Sequence, residues 1–97
     1  MISEIKAKKI CIQRMNFCDK QIDQGNEPMH YDLIKSYWLK LWDLIDDLLV
    51  FLGDEDFNPT MTIVHFWETC NTLNDLGEKE YADQVRTVKI LEKARLS

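Results

Sequence analysis

Apolar residues recur every three or four positions along this chain, the period of a helix that buries one face. The pattern is clearest from Glu27 to Leu52, where Tyr31, Ile34, Trp38, Leu41, Ile45, Leu48 and Leu52 trace one continuous seam. Tyr37, Leu44, Phe51, Trp42 and Leu49 widen that seam to both sides. Asp32, Ser36, Lys40, Asp43 and Asp47 leave only a narrow polar stripe. A helix this apolar is expected at the centre, with the others packed against it.

Three breaks interrupt the period. Gly25, Gly53 and Gly77 each stand where a helix C′ residue belongs, and Pro28 and Pro59 fall in the first turn of the next helix. The breaks predict four helices, over residues 3–24, 27–52, 59–76 and 78–95. Ser3 is the expected N-cap of the first, whose Ile5, Cys11, Ile12, Met15, Cys18 and Ile22 form a broad apolar face. Asn58 caps the third, with Ile63, Phe66, Cys70 and Leu73 as its seam. Residues 60–67 are rich in β-branched and aromatic side chains, so a strand competes there. A lone strand would leave its backbone groups unpaired, which favours helix. The fourth places Tyr81, Val85, Val88 and Leu91 on one side, with acids in its first turns and bases in its last. The predicted fold is all-α, a compact antiparallel four-helix bundle in one domain spanning 1–97.

Composition agrees. The 97 residues are 45% hydrophobic and 30% charged, with three Gly and two Pro, as in a globular helical domain and not a disordered chain. The most hydrophobic run, Tyr37 to Leu52, carries Lys40, Asp43, Asp46 and Asp47, which makes it a core helix and excludes a membrane span. Lys6, Lys8 and Lys9 lead into no apolar stretch of the kind a secretory leader needs. Cys11 and Cys18 are about 10 Å apart along a helix, too far for a disulfide. Reduced thiols and a cytoplasmic setting are the expectation.

Candidate chemistry thins out on inspection. Asp54-Glu55-Asp56-Phe57-Asn58 begins like a calcium loop, but the required glycine and closing glutamate positions hold Pro59 and His65. His65 and Glu68 share a helix face, yet di-iron bundles need such pairs twice, in the other order, with further carboxylates. The cysteines lie on apolar faces and read as core, with no base or oxyanion site beside them. Trp38 belongs to the seam. Trp42, on its flank, is the best single candidate for a contact residue. No cofactor, metal or catalytic constellation is expected, and the chain reads as a non-enzyme.

Net charge of −5 argues against direct binding to nucleic acid or anionic membrane and favours a basic protein partner. With up-down-up-down topology, one end of the bundle would gather Asp19, Asp23, Glu27, Asp32, Asp75, Glu78, Glu80 and Asp83 against only Lys20 and Lys79. The expected docking residues are therefore Glu27, Asp32, Asp75, Glu78, Glu80 and Asp83, with Trp42. By size and charge alone, the chain is analogous to small acidic inhibitors, such as immunity proteins of toxins and phage inhibitors of nucleases or defence proteins. A homodimer is the second reading, because the apolar surface of the first two helices exceeds what four short helices can cover. An acidic end that merely keeps the chain in solution is the plain alternative.

Overall fold

The computed structural model describes Met1–Leu96. Helix α1 runs Glu4–Asp23, α2 Pro28–Phe51 and α3 Pro59–Leu73. A π-turn over Asn74–Glu78 leads into α4, Lys79–Val85, and α5 covers Ile90–Arg95. The chain is an all-α four-helix arrangement whose last helix is broken into α4 and α5. The segment at 60–67 is helical, part of α3.

Local chemistry accounts for the ends. Ser3 Oγ accepts from the Lys6 N–H at 3.1 Å, and Asn58 Oδ1 accepts from the Thr60 N–H at 3.1 Å. Pro28 and Pro59 open their helices, where the missing N–H has no intrahelical partner to lose. Gly77, at φ 93°, takes the left-handed turn that ends the α3 helix path. Glu27 enters the same region at φ 43°, which costs a residue with a Cβ about 1–2 kcal/mol.

The core is built on α2. Ile34, Trp38, Leu41, Ile45 and Leu48 are all buried, so the central seam holds through its middle, while Tyr31 and Leu52 at its ends are half-buried. The α1 helix packs antiparallel along one flank of α2, and α3 packs on the other. The α4 segment bridges α1 and α3, and α5 closes over α2 and α3.

Two features depart from the expected boundaries. The helix predicted over 78–95 breaks at Arg86–Lys89, where the N-terminal segment at Ile2 bridges to the chain. The Ile2 N–H donates to the Thr87 carbonyl at 3.1 Å, and the Lys89 N–H donates to the Ile2 carbonyl at 3.0 Å. Thr87 Oγ1 donates to the Gln84 carbonyl at 2.9 Å, closing off α4. The second departure is on α1, where Ile5 is 83% exposed and Ile12 46% exposed. Both were expected in the core. The buried residues are Ala7, Ile10, Cys11 and Cys18, one step around the helix.

Candidate functional site

The predicted docking residues do not form one patch. Glu78 is 7% exposed, and its carboxylate points into the protein. Arg14 Nε donates to Glu78 Oε1 at 3.0 Å and Arg14 Nη2 to Oε2 at 3.0 Å, a bidentate pair. Trp38 Nε1 donates to the same Oε1 at 2.9 Å. The Arg14 guanidinium lies 4.2 Å from the Phe17 ring centre and 4.0 Å from that of Tyr81. Glu78 is thus a fastener between α1, α2 and the start of α4. It is withdrawn from any docking surface because Gly77 turns the chain and drops it inward.

This fastener also resets the height of the α3–α4 corner. Trp38 and Arg14 stand near the middle of their helices, so the corner packs halfway along the α1–α2 hairpin. The hairpin then projects about 15 Å beyond it, from Trp38 to Pro28. The expectation that both loops share one end is corrected: α3 is 15 residues long and α2 is 24, and the shorter helix stops early. The molecule measures 46 × 24 × 20 Å as a result.

The remaining acids fall into three places. Glu27 stands at the hairpin tip, where residues 23–30 are all exposed. Asp32 is exposed about 200° around α2 from buried Ile34, on the side away from the core. Asp75 and Glu80 are exposed on the shoulder made by the α3–α4 corner. Asp83, also on the shoulder, holds Lys79 Nζ at 2.7 Å, and that hydrogen bond keeps its carboxyl below the usual range. Glu27, Asp32, Asp75 and Glu80 form no ion pair within 4 Å among the described residues.

Trp42 belongs to a different surface. It is half-buried, with Lys8 Nζ 4.0 Å above its ring. Lys8 also binds Asp46 Oδ1 at 2.7 Å, and Lys35 binds Asp19 Oδ1 at 2.6 Å. Both pairs cross the α1–α2 groove on the hairpin's outer side. Around them stand Ile5, Ile12, Leu39 and Leu49, the last two 49% and 43% exposed. Of these, Ile5 and Ile12 were expected on the packed face of α1, while Trp42 was expected on the flank as a contact residue. The signal of this surface was present nonetheless: Ile5 and Ile12 are one position past a core stripe, as are Leu39, Trp42 and Leu49 on α2.

The other candidates settle as packing or surface. Cys11, Cys18 and Cys70 are buried free thiols. Burial pushes Cys11 up to about 12, with Cys70 adding to it. Burial likewise pushes Cys70 to about 12, and burial followed by the Glu78 carboxylate pushes Cys18 to about 11. Such thiols stay protonated near neutral pH and make poor nucleophiles. His65 Nδ1 stands 3.7 Å from Glu68 Oε2 on the exposed side of α3. Among the described residues, no group of three or more His, Cys, Asp or Glu is placed to hold a metal ion. In the acidic loop, Asp54 Oδ1 accepts from the Asp56 N–H at 3.0 Å, a turn-forming contact. No helix among the described residues is long and apolar enough to cross a membrane.

No family model, curated protein or solved structure matches this chain.

Proposed function

We propose that this chain is a small non-enzymatic binding module that docks its acidic surface on a basic protein. One observation carries the reading: four of the cations are held by carboxylates within the molecule, while the other acids of the hairpin tip and the shoulder are left without a cation among the described residues, and acids outnumber bases in a chain of net charge −5. Lys8, Arg14, Lys35 and Lys79 hold Asp46, Glu78, Asp19 and Asp83. Arg86 donates to Asn71 Oδ1 at 2.7 Å, and Arg95 lies 4.8 Å from the Trp67 ring centre. Glu27 at the tip and Asp75 and Glu80 on the shoulder face solvent without such partners. Their summed field attracts a positively charged surface and steers its approach.

Proteins that handle nucleic acid present such a surface, because phosphate contacts require clustered Lys and Arg. An acidic helical module seated there competes with the nucleic acid, which is the action of an inhibitor or immunity protein. The step between hairpin tip and shoulder gives this surface relief, so shape as well as charge selects the partner.

Charge reversal at Glu27, Asp75 and Glu80 together, compared with wild type for partner capture from the native cell at low and high salt, tests the reading. Capture is expected to fall by at least about tenfold in the variant, and to weaken for wild type as salt rises. Capture that ignores both changes rejects it.

Self-association is a second reading, favoured by a separate observation: Ile5, Ile12, Leu39 and Leu49 are exposed together on the outer side of the hairpin.

A further inference from the structure

We infer that the outer face of the α1–α2 hairpin binds a second copy of this chain, with α1 of each copy lying over α2 of the other. This develops the self-association reading and is independent of docking on a basic partner.

The charge layout of the face carries the inference. Lys8 on α1 stands beside Asp46 on α2, and eleven residues along each helix, about 16 Å, Asp19 stands beside Lys35. Signs therefore alternate both along and across the groove, as on a checkerboard. Turn a second copy over about a twofold axis parallel to the helices, and every corner meets its opposite. Lys8 falls over the partner copy's Asp46, and Asp19 over its Lys35. The same operation lays Ile12 over Trp42 and Ile5 over Leu49, apolar on apolar throughout. An isologous interface requires this kind of self-complementarity.

Area is adequate. The groove is about 30 Å long and two helices wide, roughly 600 Å² per copy. The two copies together bury about 1,200 Å², above the ~1,000 Å² that a specific interface needs. The face is electrically neutral although the chain carries −5. Mutual repulsion thus comes from carboxylates elsewhere on each copy and is screened by salt. Self-association should hold or strengthen as salt rises, opposite to docking on a basic partner, so the two ideas fail separately.

Sedimentation equilibrium of the full chain provides the test. Wild type is expected to dimerise at high micromolar concentration. Ile12→Glu should raise the dissociation constant at least about tenfold without altering the helical circular dichroism. Lys8→Asp alone should weaken the dimer, since it sets acid against acid at two corners. Adding Asp46→Lys restores opposite signs within each copy and, with α1 over the other copy's α2, across the interface as well, so the swapped double variant should dimerise like wild type. A wild type that stays monomeric, an Ile12→Glu variant that still dimerises, or a swap that restores nothing overturns the inference.

Discussion

Two sets of ion pairs sit on opposite sides of the same hairpin, and they serve different ends. On the inner side, Arg14 and Glu78 meet with side chains 13% and 8% exposed. On the outer side, Lys8 and Asp46 are 22% and 40% exposed, and Lys35 and Asp19 are 38% and 47% exposed. The chemistry is the same, a carboxylate against a cation. Solvent access decides the rest. The inner pair is desolvated and fixed by a third donor, Trp38, so it specifies where α4 begins. The outer pairs keep water, contribute little to folding, and remain free to exchange partners.

The comparison breaks most sharply when one inner partner is removed. Glu78→Leu leaves Arg14 buried without a counter-charge and the Trp38 N–H without its acceptor, and should cost about 3–5 kcal/mol in urea unfolding. Arg14→Met should cost a similar amount. The double variant should recover much of the loss, because two apolar side chains leave no charge uncompensated. A single variant losing under about 1 kcal/mol would mean that the pair is solvated after all.

That fastener also marks the limit of what the sequence disclosed. The α2 seam was legible because Ile34, Trp38, Leu41, Ile45 and Leu48 repeat with the helical period, and period is a local property. The caps at Ser3 and Asn58 were legible for the same reason. Arg14 and Glu78 are 64 residues apart, and no local pattern announces that one will be folded onto the other. Glu78 looked like an ordinary first-turn acid, and was read as a docking residue. The break at Arg86–Lys89 was equally hidden, since it depends on the backbone of Ile2. On α1, two apolar stripes run side by side, one through Cys11 and Cys18 and one through Ile5 and Ile12. Periodicity alone does not say which of them faces inward.

The inner side also holds the three thiols, and their burial adds a pH signature of its own. Their folded values, about 12, 11 and 12, lie above the ordinary 9.0. Raised values mean that the folded state holds its thiol protons more tightly than the unfolded chain. The resulting stability is complete below pH 9 and is lost as pH rises from there toward 11–12. Chemical unfolding across that range should show a decline that is shallower in the Cys11→Ala, Cys18→Ala, Cys70→Ala variant. An identical slope would remove the thiols as its cause. The native thiols should also react with a disulfide reagent only at the rate at which the fold opens.

The outer pairs offer the smallest effect on stability. Lys8→Met removes the cation from Asp46 but keeps most of the stem over the Trp42 ring, and should change unfolding free energy by only about 0.2–1 kcal/mol. The same substitution removes two of the corner contacts of the twofold assembly, one in each copy, so its effect on self-association should exceed its effect on folding. Measuring both on one sample separates the two roles. If Lys8→Met unfolds as readily as Glu78→Leu, the outer pairs are structural fasteners too. The division between a folding side and a binding side would then be lost.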